Sequence, residues 1–188
     1  MIKNKNHAFT LVEMMISIAI IMILTASAVP FFKGMSKNQE LAQEVGKFYD
    51  TVTSMQIKSR SGITHNNQKV WWAVDPCANN DPHLYYYGPV TVNSTSGLFN
   101  WDIFYHSNKI VKTLSDNVKF SKGVCDSTGY PIAFERLSGN LYDSNKKPLN
   151  EATIQFCYVK NADDECSDLD ADKKVTINQF GITKIEDE

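Results

Sequence analysis

The feature that most constrains this chain is an almost unbroken apolar run from Phe9 to Phe32, containing Leu11, Val12, Met14, Met15, Ile16, Ile18, Ile20, Ile21, Met22, Ile23 and Leu24. A helix needs about 20 such residues to cross a bilayer, so the run suffices for a membrane span. The residues before it are polar and include Lys3 and Lys5, and the first charge after it is Lys33. The positive-inside tendency then keeps the N-terminus cytoplasmic and sends the rest outward. Glu13 breaks the apolar pattern. A carboxylate inside a membrane helix is costly and is usually paired and functional. The plainer alternative is that Glu13 is solvated at the headgroup level.

A secretory signal is the competing reading, because Ala26-Ser27-Ala28 has the small-x-small form of a cleavage site. Such signals carry an apolar core of roughly 7–15 residues, and this run is longer.

Beyond Pro30 the apolar positions become periodic. Leu41, Val45, Phe48, Val52 and Met55 recur at alternating spacings of four and three, which is one stripe of a helix. Glu40, Gln43, Glu44, Lys47 and Asp50 lie off the stripe, and Gly62 marks a stop. A stripe of this kind is core more often than partner surface, so the rest of the chain is expected to cover it.

From Val70 onward the pattern is strands and turns. Candidate strands are Val70–Val74, Tyr85–Val92, Trp101–Tyr105, Ile110–Leu114, Val118–Phe120, Ile132–Phe134, Leu141–Tyr142, Thr153–Val159, Val175–Asn178 and Ile182–Ile185. Turns are expected at Ser138-Gly139-Asn140 and Gln179-Phe180-Gly181. The expected class is α+β, a long N-terminal helix packed against an antiparallel sheet. The 188 residues suffice for one such domain plus the helix.

The four cysteines, Cys77, Cys125, Cys157 and Cys166, form no CxxC pair, which weakens a zinc reading. An even count in an exported segment points to two disulfides. Three connectivities are open. The favoured pairs are Cys157–Cys166, which brackets a polar loop after a strand, and Cys77–Cys125. Four reduced thiols would be the outcome in a cytoplasmic domain.

Trp71, Trp72, Tyr85, Tyr86, Tyr87, Trp101, Phe104 and Tyr105 could form a stacking platform for a sugar, but they equally suit strand packing. Three tyrosines in a row on a strand imply that at least one is exposed. Asp168, Asp170 and Asp172 imitate the start of a calcium loop, within an acidic run that also holds Asp163, Asp164 and Glu165. The match fails at Lys173, where Gly is needed, and at Gln179, where a bidentate Glu is expected, so a solvated loop is favoured. His7, His65, His83 and His106 are scattered, and no nucleophile motif or phosphate loop frames them. No enzyme activity, cofactor or metal is therefore expected. A net charge of −2 gives no reason to expect nucleic acid as a main partner.

The segment Ala8-Phe9-Thr10-Leu11-Val12-Glu13-Met14-Met15 resembles the processing site of type IV prepilins. The resemblance implies a leader of residues 1–8, cleavage between Ala8 and Phe9 by prepilin peptidase, and N-methylation of Phe9. It implies that Glu13 neutralises the Phe9 amine of a neighbouring subunit during assembly. Such pairing answers the cost of an isolated buried carboxylate. The family usually has Gly where this chain has Ala8. Pro30 is a second match: pilins carry a proline at this distance from the processed end, where the helix breaks in the filament. The implied layout is a membrane and filament-core helix over 9–32, its amphipathic continuation over 33–62, and an extracytoplasmic sheet domain over 63–188.

The tail is similar, more loosely, to that of GspH/FimT-like minor pilins and pseudopilins. Leu114, Val118, Phe134, Gly139, Val175, Ile177 and Gly181 occupy the matching places. The function implied is a structural or initiating subunit of a type IV pilus or type II secretion pseudopilus. Its partners would be other pilin subunits, prepilin peptidase and the inner-membrane assembly platform. Its location would be the inner membrane, then a periplasmic pseudopilus or surface pilus. The alternative is a tip-displayed binding module, an adhesin or DNA-uptake receptor, on the same scaffold. Some FimT-like pilins bind DNA through a basic end, whereas this chain ends Lys184-Ile185-Glu186-Asp187-Glu188, which argues against that activity.

Overall fold

The computed structural model describes residues 11–125, 131–160, 164, 166, 173–178, 180 and 183–187, with only the backbone described for 26–35, 108 and 187. The chain divides into two units, Met1–Gln39 and Glu40–Glu188. One helix, α1 (Leu11–Arg60), begins in the first unit and ends in the second.

In the second unit α1 buries one face. Leu41, Val45, Phe48, Val52 and Met55, the stripe read from the sequence, are each at most 2% exposed. Burying a large aliphatic or aromatic side chain contributes about 1.5–3 kcal/mol. Phe48 is the hub: its ring meets Tyr85, Phe120 and Phe156 edge-on at centroid distances of 5.1, 5.5 and 5.3 Å. The helix stops as the sequence suggests, at Gly62. Gly62 has φ +64, its N–H donates to the Ser59 carbonyl, and the Ile63 N–H reaches back to that of Lys58. That pair of bonds is a Schellman motif, which needs a left-handed residue at this position. The Ser59 hydroxyl, fully buried, donates to the Glu135 carbonyl at 2.6 Å and lies 2.8 Å from that of Phe134.

The strands follow as β1 (Thr64–His65), β2 (Gln68–Lys69), β3 (Trp71–Pro76), β4 (Leu84–Val90), β5 (Ile110–Thr113), β6 (Val118–Phe120), β7 (Ile132–Phe134), β8 (Leu141–Tyr142), β9 (Glu151–Tyr158), β10 (Lys173–Asn178) and β11 (Thr183–Asp187). The α+β class holds, and every ladder is antiparallel. The larger strands divide into two sheets, ordered β5-β4-β3-β7-β8 and β11-β10-β9-β6. The division falls at Leu114–Asn117, after which β6 pairs with β9 instead of returning to the first sheet. The sheets are tied at His83, whose Nδ1–H donates to the Val118 carbonyl at 2.9 Å, and at Pro82, whose carbonyl accepts from the Phe120 N–H. The β1–β2 hairpin was not expected. Its two-residue turn, Asn66-Asn67, has φ 49 and 60, the left-handed pair that a type I′ turn requires and that Asn tolerates.

Two sequence expectations change. The strand expected at Trp101–Tyr105 is helical: α2 (Trp101–Ile103) runs into a π turn over Phe104–Asn108. The Asn100 side chain caps it by accepting from the Ile103 N–H, and the aromatics at 101, 104 and 105 are spaced for a helix. This segment covers the outer face of β3, β4 and β7, so the middle of the five-stranded sheet is buried on both sides while its edge strand β5 stays exposed. Trp72, Val74, Tyr85, Ile132 and Phe134 face the α1 core. Ala73, Tyr86, Val90 and Ala133 face a second cluster with Phe99 and Phe104. The tyrosine run therefore exposes none of its rings fully. Tyr85 and Tyr86 are buried in opposite directions and Tyr87 is half-buried.

The four cysteines pair as Cys77–Cys125 and Cys157–Cys166, the pairing favoured from sequence, with Cα separations of 5.1 and 5.9 Å. Cys125 ends a short helix, α3 (Lys122–Cys125), that the strand pattern did not suggest.

Candidate functional site

The first unit presents α1 with apolar side chains on every side. Ile20, Ile21, Met22, Ile23 and Leu24 follow one another and are 52–70% exposed in the single chain. Successive residues of a helix are turned by roughly 100°, so five in a row leave no polar face. The hydroxyls within this stretch are satisfied by the helix itself: Ser17 donates to the Glu13 carbonyl at 2.8 Å and Thr25 to that of Ile21 at 2.6 Å. Such back-bonding lets a hydroxyl sit on an apolar helix without an outside partner. Glu13 lies in the first described turn with its side chain exposed. A carboxylate there also meets the positive end of the helix dipole.

Ala8 and Phe9 lie outside the described residues. At Pro30 the backbone stays helical. Proline has no N–H to give, so the Ala26 carbonyl lacks its usual intrahelical donor. Among the described residues no helix is long and apolar enough to cross a membrane. Within the apolar run the described side chains go from Leu11 to Thr25, short of the roughly 20 residues a span requires. The remainder of the run, at both ends, lies outside them.

In the second unit the aromatic group interlocks. Trp71 meets Phe99 and Tyr142 edge-on at 5.0 Å each, Phe99 meets Trp101 at 5.2 Å, and Trp101 meets Phe104 at 5.6 Å. The Trp101 indole N–H donates to the Ser144 carbonyl at 2.8 Å. Lys146 lies over the Trp71 ring. These rings pack against one another, as the packing reading had it, with Trp71, Trp101 and Tyr105 left half-buried.

The acidic run falls largely outside the described residues. Its described member Asp164 accepts, through its backbone carbonyl, a 2.9 Å bond from the buried Lys119 ammonium. Among the described residues no three His, Cys, Asp or Glu side chains gather to hold a metal. The described histidines are dispersed: His65 in the hairpin, His83 between the sheets, and His106 beside Asp102 on α2.

One constellation was invisible in the sequence. Asp75 of β3 is 8% exposed, and its Oδ2 accepts a 2.8 Å bond from the Tyr105 hydroxyl. Burial pushes the Asp75 carboxyl up to about 6, against the opposing pull of that bond. Burial and the neighbouring carboxylate push the Tyr105 phenol up as well. Both residues line a cavity of about 280 Å³ beside the Cys77–Cys125 bridge. The two partners stand thirty positions apart, and the strand assumed at Trp101–Tyr105 hid their meeting.

Residues 3–29 match a family model described as the prokaryotic N-terminal methylation motif. No curated protein and no solved structure matches the chain. The motif supports a type IV pilin-like protein, processed as a prepilin, with an N-terminus that anchors it to the membrane.

Proposed function

We propose that this chain is a minor pilin or pseudopilin, a structural or initiating subunit of a type IV pilus or type II secretion pseudopilus. The methylation-motif match over residues 3–29 carries the reading. The all-round apolar face of α1 supports it, because a helix without a polar side is stable only in lipid or among other apolar helices. Prepilin peptidase cuts between Ala8 and Phe9 and methylates Phe9. The segment 9–32 first spans the inner membrane and then packs into the filament core. Glu13 pairs with the Phe9 amine of a neighbour. Pro30, with its missing donor, is where the helix gives way in the assembled filament. The sheet domain, residues 63–188, lies outside the cytoplasm, where its two disulfides form. The GspH/FimT-like assignment rests on the tail alone, where Leu114, Val118, Phe134, Val175 and Ile177 are all buried core residues. Function on this reading is assembly, with other pilin subunits and the inner-membrane platform as partners.

Mass spectrometry of the mature N-terminus tests the reading. An N-methyl-Phe9 terminus is expected; a terminus near Ser27–Val29 would mean a secreted protein. Glu13→Leu should leave membrane insertion intact and lower recovery in sheared filaments at least tenfold. Recovery equal to wild type would remove the proposed amine pairing.

A further inference from the structure

The cavity beside the Cys77–Cys125 bridge has a chemistry that the filament role does not use. It is lined by Asp75, Pro76, Asn79, Asn80 and Tyr105 together with the bridge, and no lysine, arginine or histidine is among its described lining residues. Asp75 is more than nine-tenths buried. Its Oδ2 is held by Tyr105, and its Oδ1 has no hydrogen bond among the described residues. A buried carboxylate without a counter-charge is destabilising, and a charge that enters to pair with it recovers that cost. The wall is rich in acceptors. Pro76 and Pro131 have no N–H, the Asn80 backbone N–H is committed to the Cys77 carbonyl, and Asn79 gives one of its two amide N–H groups to the Tyr86 hydroxyl at 2.7 Å. Asn79 keeps its carbonyl oxygen and its second amide N–H. The backbone here is left-handed at Cys77, Asn79 and Asn80, at φ 55, 59 and 59, a conformation that Asn tolerates and that strains Cys77. Such conformations in non-glycine residues concentrate at functional sites.

We propose that this cavity is a binding site for a primary ammonium group, a small alkylamine or the side chain of a lysine on another polypeptide. An ammonium fits where other cations do not. It is a compact donor of three bonds, able to give one to Asp75 Oδ1 and the others to the Asn79 and Asn80 amide oxygens. A guanidinium prefers to bridge both oxygens of a carboxylate, and Tyr105 already occupies one. Calcium takes 6–8 oxygen ligands, generally from several carboxylates, and the one carboxylate and two side-chain amides among the described lining residues fall short.

The test uses the full-length oxidised chain in detergent micelles, followed by NMR of the Asn79 and Asn80 side-chain amides and the Tyr105 backbone amide. Titration with n-butylammonium chloride should produce saturable shifts at these three residues, absent with sodium chloride at equal ionic strength. Asp75→Asn should weaken the binding at least tenfold while its remaining spectrum stays folded. Tyr105→Phe frees Oδ2, so n-butylguanidinium, the weaker ligand of the wild type, should become the stronger. Nα-acetyl-lysinamide separates the two sources: binding as tight as the free amine assigns a polypeptide lysine, weaker binding a small amine. Unsaturable shifts, shifts that survive Asp75→Asn, or equal shifts from calcium chloride at lower concentration would overturn the proposal.

Discussion

The two halves of α1 belong to one helix and are apolar in different ways. Between Leu11 and Leu24 the apolar side chains point everywhere and stay half-exposed or more in the single chain. Between Leu41 and Met55 they fall on one stripe, and that stripe is sealed. The second half has found its cover within its own sequence, and the first half has not. Helical propensity does not distinguish them. The distinction is where the polar residues stand: off the stripe in the second half, nearly absent in the first. An apolar residue therefore carries stability to the fold in the second half and stays exposed in the single chain in the first.

Substitution in each half should break that comparison cleanly. Phe48→Ala removes the ring shared by Tyr85, Phe120 and Phe156, and should destabilise the domain by about 3–5 kcal/mol in denaturant unfolding. Ile18→Ala, at a residue 51% exposed, should leave the same unfolding curve unmoved. A large shift from Ile18→Ala would show that the first half is also packed within the chain.

The disulfides sharpen the contrast within the second unit. Their sequence separations are 48 and 9 residues. Loop-closure entropy assigns about 4 kcal/mol to Cys77–Cys125 and about 2.5 kcal/mol to Cys157–Cys166. Paired Cys→Ser variants should follow that order, while the first half of α1 keeps its helicity by circular dichroism in detergent. The reverse order would mean that the longer bridge constrains little in the unfolded chain.

Asp75 gives the pH dependence. Its folded carboxyl is raised to about 6 from an ordinary 3.8, so the folded state holds the proton more tightly than the unfolded one. The associated stability is fully present below pH 4 and is lost as pH rises through about 6. The loss amounts to about 3 kcal/mol by pH 8. Asp75→Asn should remove this slope, making the variant more stable than wild type at pH 8 and nearly equal to it at pH 4. Parallel curves at all pH values would rule out a raised carboxyl.

Much of this was legible in the sequence because it repeats. The Leu41–Met55 stripe, the strands from Ile132 to Asn178 and the apolar run each show a period or an uninterrupted composition. What escaped depends on contacts between distant segments. The aromatics of Trp101–Tyr105 favour a strand by propensity, but their helical spacing and Asn100 as a cap favour the helix that forms. The second cover of the five-stranded sheet followed from that segment, and so did the meeting of Tyr105 with Asp75. Asn66-Asn67 was readable as a turn but lacked the flanking apolar alternation that announces a hairpin.

Phe48 has a further consequence for motion. One ring touches a residue of the five-stranded sheet, Tyr85, and two of the four-stranded sheet, Phe120 and Phe156. Neither sheet can swing open without breaking its hold on the shared ring, so the two should breathe as a single cooperative unit. Buried amides of β3 and β9 would then exchange their protons through one common opening. A domain built this way opens as one unit.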